Sequence, residues 1–133
     1  MMTPDEFNSS SIKVKDIMSK TLISVNLGTT ALQVAKMMQQ GGIGAVLVKE
    51  NNNHVGIVTD RDFATKVAAN NLPFETSVDK IMSSPLVSIN YDEPISAAAE
   101  RMTSKKIRKL AVSDNGNIVG IITSTDLVNQ LAK

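Results

Sequence analysis

At 133 residues and 42% apolar content, the chain has the size and composition of one ordinary globular domain. No apolar run approaches the ~20 residues of a membrane helix, and the first residues lack the basic-then-apolar pattern of a secretory signal, so a cytoplasmic location is expected. With no cysteine and one histidine, disulfides and thiolate metal sites are excluded and a zinc site has no donor set. A net charge of +1 with 3% aromatic residues argues against a nucleic-acid coat or a base-stacking platform.

In chain order, Met1–Ser11 is polar and aperiodic, and is expected to be a mobile tail or a loosely docked arm. Val14–Met18 suits one helical turn, and Leu22–Val25 a short strand. Thr29 or Thr30 caps a helix carrying Ala31, Val34, Ala35 and Met38 at i, i+3, i+4, i+7 spacing, and Gly41-Gly42 ends it. Ala45–Val48 and Val55–Thr59 form a hairpin around Asn51-Asn52-Asn53. His54 opens its second strand, with an exposed side chain expected. Asp60 starts a helix whose inner face is expected to carry Phe63, Ala64, Val67 and Ala68. The order then returns: strand Leu86–Ile89, helix Ile95–Ser104, strand Leu110–Ser113, turn Asp114–Asn117, strand Ile118–Thr123 and helix Thr125–Leu131. Met37, Met38 and Met102 are expected to pack helices.

The return is a tandem duplication. Val14, Ile17, Met18 and Ser19 recur as Val78, Ile81, Met82 and Ser83, always 64 residues on (78 − 14) and without a gap. Roughly a third of the aligned positions are identical, against ~1 in 15 to 20 for unrelated sequence of ordinary composition. The most informative stretch is Gly56-Ile57-Val58-Thr59-Asp60-Arg61-Asp62, repeated as Gly120-Ile121-Ile122-Thr123-Ser124-Thr125-Asp126. In both, two β-branched residues end a strand, and Thr and Asp fall at the start of a helix. A hydroxyl and a carboxylate beside free helix N–H groups make a corner suited to a small polar ligand. Each half is only about 56 residues, marginal alone, so a core shared by the halves is expected.

A β-α-β-β-α unit opened by Asp-Ile-Met-Ser and closed by Gly-Ile-Val-Thr-x-x-Asp resembles a CBS (cystathionine β-synthase) motif, and two in tandem resemble a CBS pair, or Bateman module. The expected organisation is an N-terminal tail over 1–11, repeat one over 12–70, a linker over 71–77 and repeat two over 78–133. The fold class is α/β (α+β). The resemblance implies packing about a pseudo-two-fold axis, a disc-shaped homodimer, and clefts between the repeats that hold AMP, ADP, ATP or S-adenosylmethionine, with Mg²⁺ an accompaniment of ATP only. It implies a regulatory, energy-sensing role through an unidentified partner protein. Composition argues against a membrane protein or a dedicated nucleic-acid binder, with weak nucleic-acid binding through Lys105, Lys106, Arg108 and Lys109 left as an alternative that a steep salt dependence would expose.

The resemblance also assigns residues. Thr59 and Asp62 serve the ribose and phosphate of one cleft, Thr123 and Asp126 those of the other. An ionised carboxylate only accepts hydrogen bonds and so suits a vicinal diol; losing either Asp is expected to weaken its cleft roughly ten- to a hundredfold. Adenine contacts fall to Thr21, Leu22 and Ile23 on one side and to Pro85, Leu86 and Val87 on the other, with Gly44 and Ala45 at the entry to the second strand. Phosphates fall to Arg108 and Lys109, on the Asp62 side, and to Arg61 on the Asp126 side. Repeat one has Gly44 in place of Arg108 and repeat two has Thr125 in place of Arg61, so the two clefts are expected to differ, the Asp62 side favouring a phosphorylated nucleotide.

Simpler readings stand beside these. Thr59 and Thr123 can be helix caps, and Asp62 and Asp126 first-turn acids favoured by the helix dipole. Lys105, Lys106, Arg108 and Lys109 can be a solvated basic rim, and Arg61 a partner in a surface ion pair. The competing function is a ligand-free dimerisation module with an exposed apolar helix face. Catalysis has little support, since the acids recur symmetrically without a paired general base.

Overall fold

Two short apolar runs, Val46–Val48 and Leu110–Val112, are almost completely buried, the signature of central strands covered on both faces. Each organises a three-stranded sheet in the computed structural model, which describes residues 12–133. The tail expected over 1–11 lies outside the described residues.

The elements are α1 (Val14–Ile17), β1 (Ser24–Asn26), α2 (Ala31–Gly41), β2 (Ala45–Glu50), β3 (Asn53–Thr59), and α3 (Asp60–Asp62), which widens into a π-helix over Phe63–Ala68. A 3-10 turn (Val78–Lys80) follows, then β4 (Ser88–Asn90), α4 (Ile95–Lys105), β5 (Lys109–Asp114), β6 (Asn117–Thr123) and α5 (Ser124–Leu131). In each sheet the first strand runs parallel to the central one and the hairpin partner antiparallel, with orders β1-β2-β3 and β4-β5-β6. Two-residue hairpin turns use left-handed Asn51 and Asn52 in one copy and Asn115 and Gly116 in the other, as tight hairpins require. Thr30 caps α2 by accepting from the Gln33 amide, while the Gln33 side chain accepts from the Thr30 amide. Gly42 ends α2 in the left-handed region, a place that Lys106 takes after α4.

The chain divides into two compact units that cross the sequence repeats. One is Ile23–Leu86. The other joins residues 12–22 to Val87–Lys133. Each has its own core: Val34, Val46, Val48, Val58, Val78 and Ile81 anchor the first, and Val14, Ile89, Ile95, Leu110, Val112 and Ile122 the second. The core that the halves are expected to share takes the form of two clusters, each drawing on both repeats. Each half completes its core with the leading segment of the other repeat, which brings Val78 and Ile81 to one and Val14 to the other.

This docking gives the repeated glycine a reason. Ser83 exchanges both backbone hydrogen bonds with Ile57 (2.8 and 3.1 Å), and Ser19 does the same with Ile121 (2.8 and 3.0 Å). A Cβ on Gly56 would lie 2.7 Å from Met82 Sδ, and one on Gly120 would lie 2.6 Å from the Ser19 carbonyl oxygen. Only glycine admits so close a backbone.

Several boundaries move. The first strands begin at Ser24 and Ser88 instead of Leu22 and Leu86, and the hairpin strands extend by one to two residues at their turns. Ala64 and Ala68, expected on an inner face, are exposed, whereas Phe63 packs on the core and Val67 is buried. The cause is the π-helix: Thr65 Oγ1 donates to the Arg61 carbonyl at 2.9 Å and the Ala69 amide reaches back to Ala64, widening the turn and rotating the following residues. His54 is half-buried instead of exposed. The register skips Val55 between Val48–Gly56 and Lys49–His54, and this bulge re-aims the ring to set Nε2 3.2 Å from Ser24 Oγ.

Candidate functional site

Each unit carries one Thr–Asp corner where a hairpin strand passes into a helix. The two corners share a frame: Oδ2 of the Asp accepts from the amide of the Thr three residues earlier, at 2.8 Å in both. This is one half of a capping box, with Asp in place of the usual Glu. Beyond it they diverge.

Asp62 is 3% exposed. Its Oδ2 also accepts from Thr59 Oγ1 at 3.3 Å, and its Oδ1 accepts from Ser83 Oγ at 2.9 Å and pairs with Lys66 Nζ at 3.0 Å. A carboxylate has about four acceptor positions, and this one uses four within its own unit. The Lys66 ammonium is matched as fully, donating to the carbonyls of Ile81 (2.9 Å) and Met82 (3.1 Å) as well. Its three donors meet three oxygens.

Asp126 is half-buried. Its amide donates to Thr123 Oγ1 at 3.2 Å, so the hydroxyl here caps the helix instead of bonding the carboxylate. Gln130 stands where Lys66 stands in the other unit, and Ser19 stands where Ser83 does. The Ser19 hydroxyl accepts from the Thr21 amide at 3.4 Å. Beside Asp126 lies an open cavity of about 280 Å³ lined by Asp16, Ile17, Asp126, Asn129, Gln130 and Lys133.

The remaining expected residues sort by unit. Thr21, Leu22, Val87, Arg108 and Lys109 lie with Thr123 and Asp126; Ile23, Gly44, Ala45, Arg61, Pro85 and Leu86 lie with Thr59 and Asp62. The sheet register sets Lys109 opposite Thr123 and Ala45 opposite Thr59, and facing residues of a strand pair share a side. The amides after the two corners close on the same turn, Asp60 on the Gly44 carbonyl and Ser124 on that of Arg108. Arg61 and Arg108 are exposed, and Lys109 is half-buried. Sequence reasoning missed Lys66 and Ser83 as partners of Asp62. The i, i+4 spacing of Asp62 and Lys66 on a helix was the available signal for one; the exchange of leading segments hid the other. Among the described residues no group of three potential metal ligands occurs, and no helix is long and apolar enough to cross a membrane.

Burial, with Lys49 nearby, holds the pKa of His54 below the usual histidine value of 6.5.

The CBS domain family matches residues 14–69 and 78–133. The CBS domain-containing protein YhcV of Bacillus subtilis is 36% identical over 120 residues, spanning 90% of this chain and 86% of its own. A conserved protein of Pyrococcus horikoshii superposes with a TM-score of 0.87 at 27% identity, covering 92% and 94% of the two chains. The CBS domain pair of protein MJ0100, solved with 5′-methylthioadenosine and S-adenosyl-L-methionine, superposes at 0.81 with 30% identity over 90% and 95%. The tandem match, the two three-stranded sheets with their helices and the repeated Gly-Ile-x-Thr-x-x-Asp corners agree: this chain belongs to the CBS domain family, with two copies in tandem.

Proposed function

We propose that the chain is a regulatory module that binds an adenosine-type compound at the Thr123–Asp126 corner and passes its occupancy to a partner protein. The observation that carries this is the difference between the two acids. Asp126 keeps acceptor capacity beside an open cavity, while Asp62 spends its own on Thr59, Ser83 and Lys66. A ribose diol needs two acceptor positions on one carboxylate. Thr21 and Leu22 belong to the same unit and supply the backbone and apolar edge for a base. Lys109, opposite Thr123, suits a phosphate, so AMP, ADP and ATP are candidates beside uncharged or sulfonium adenosines. The adenosine ligands of the MJ0100 pair support that chemistry class.

The test is thermal unfolding with 5′-methylthioadenosine, S-adenosylmethionine, AMP, ADP and ATP, on wild type and on Asp126→Asn. A ligand at a hundred times its Kd adds roughly 2.7 kcal/mol, a shift of several degrees. The reading predicts such a shift for at least one compound and its loss in Asp126→Asn. No shift with any of the five contradicts it.

A second reading, self-association, is favoured by Val128 and Leu131, which are 62% and 39% exposed one turn apart on α5. Sedimentation equilibrium tests it: Val128→Glu should yield monomer if that face joins two copies, and an unchanged mass would refute the face.

A further inference from the structure

The open cavity in the unit containing Asp126 has a filled counterpart 64 residues away. Subtracting 64 from Asp126 and Gln130 gives Asp62 and Lys66, and adding 64 to Ile17 and Met18 gives Ile81 and Met82. Those four counterparts are the members of the Lys66 cage: a carboxylate oxygen at 3.0 Å and two backbone carbonyls at 2.9 and 3.1 Å around one primary ammonium. Three of the four cage positions, Asp126, Gln130 and Ile17, line the cavity together with Asp16, Asn129 and Lys133, and the fourth, Met18, follows Ile17 in the same leading segment. The frames match. In each, the leading segment bridges the same strand position, Ser83 to Ile57 and Ser19 to Ile121, and the Asp is fixed by the same Thr amide at 2.8 Å.

We infer that this cavity is a binding site for a primary ammonium group carried by a small molecule, held by Asp126 together with the Ile17 and Met18 carbonyls. Three substitutions between the repeats make the site. Gln130 in place of Lys66 removes the internal cation. Asp16 in place of Lys80 exchanges a positive rim for a negative one, its Oδ2 anchored by the Lys13 amide at 2.7 Å. Asn129 in place of Thr65 adds an amide at the wall. The preference for ammonium over a bare charge follows from the oxygens: a carboxylate and two carbonyls answer three N–H donors in directions, as they do for Lys66. At about 280 Å³ the cavity exceeds the volume of an ammonium ion and accommodates the alkyl stem attached to it. Lys133 is the one cation on the lining, and among the described residues no ion pair joins it to Asp16 or Asp126. The site goes beyond the adenosine reading and does not need it, since Thr123 uses only one of the four acceptor positions of Asp126.

The experiment is an amide NMR titration of the whole chain with n-butylammonium chloride, against tetramethylammonium chloride and potassium chloride at equal ionic strength. The expected result is saturable movement of the Ile17, Met18 and Asp126 amides with n-butylammonium alone, with half-saturation on the order of millimolar for so small a ligand. Gln130→Lys should abolish the movement by placing a lysine in the cage, with a raised melting temperature as proof of folding. Lys66→Gln should add a second set of saturable shifts at Ile81 and Met82. Equal shifts with tetramethylammonium would reduce the effect to charge screening and overturn the site. Equal shifts with potassium would make it an inorganic cation site, and shifts persisting in Gln130→Lys would place binding elsewhere. n-Butylammonium carries no adenosine, so failure here and failure of the adenosine titration are separate results.

Discussion

The two Thr–Asp corners descend from one motif and now do different work. In the Ile23–Leu86 unit the carboxylate is a structural hub, binding a helix start, an incoming serine and a lysine ammonium at once. In the other unit the same carboxylate keeps its cap and loses the rest, leaving a polar cavity beside it. Three substitutions and two altered hydrogen bonds separate the states: Lys66 against Gln130, Thr65 against Asn129, Lys80 against Asp16, the hydroxyl of Ser83 on Asp62 against that of Ser19 on the Thr21 amide, and the Thr59 hydroxyl on the carboxylate against the Thr123 hydroxyl on the helix amide. One repeated motif thus holds its carboxylate in two surroundings, and the residues four positions on and in the exchanged segment set the difference.

The largest difference between the units should come from removing the hub. Asp62→Ala leaves Lys66, Ser83 and the Thr59 amide without their acceptor; with Lys66 36% exposed, the cost is discounted from the full buried-pair range to about 2–4 kcal/mol. Asp126→Ala loses chiefly a cap, about 1 kcal/mol. Urea unfolding of the two variants checks the order, and equal losses would mean the corners are energetically alike.

The two glycines differ in what their Cβ would meet. Gly120→Ala drives a methyl against the Ser19 carbonyl at 2.6 Å, a backbone atom that cannot swing aside, whereas Gly56→Ala meets the flexible Met82 Sδ first at 2.7 Å. Gly120→Ala should cost about 1–3 kcal/mol, and Gly56→Ala should fall at the low end of that range. Melting curves of the two variants measure it, and a reversed order would show that the docked segments give way differently.

The smallest effect is in the hairpin bulges. His54 has its pKa lowered by burial, so the unfolded chain binds a proton more readily than the folded one. Its contribution is present above about pH 6.5 and is lost as pH falls through that value toward the folded pKa. The melting temperature should therefore decline slightly between pH 7.5 and 5.5, and His54→Gln should flatten that decline. Ile118 stands at the matching place in the sister hairpin, so no second histidine obscures the result.

Much of this was legible in the sequence. The 64-residue repeat, the buried runs Val46–Val48 and Leu110–Val112, and the Asn-rich turns fixed the strands and hairpins because period, burial and turn chemistry all agreed. The Thr and Asp positions stood out because they recur in register. What stayed hidden was non-local. Nothing in the spacing of Asp16-Ile17-Met18-Ser19 or Lys80-Ile81-Met82-Ser83 says that each docks on the other repeat, and without that exchange the glycine clash, the Ser83 bond and the two Lys66 carbonyls have no source. The π-helix was hidden too, since Ala64 and Ala68 fit an ordinary helical stripe until Thr65 widens the turn.

The most direct measurement is calorimetric titration of the full chain with the adenosine compound that gives the largest thermal shift, on wild type, Asp62→Asn and Asp126→Asn. One site per chain is expected, retained in Asp62→Asn and lost in Asp126→Asn. Two equivalent sites per chain, or a site lost only with Asp62, would contradict it.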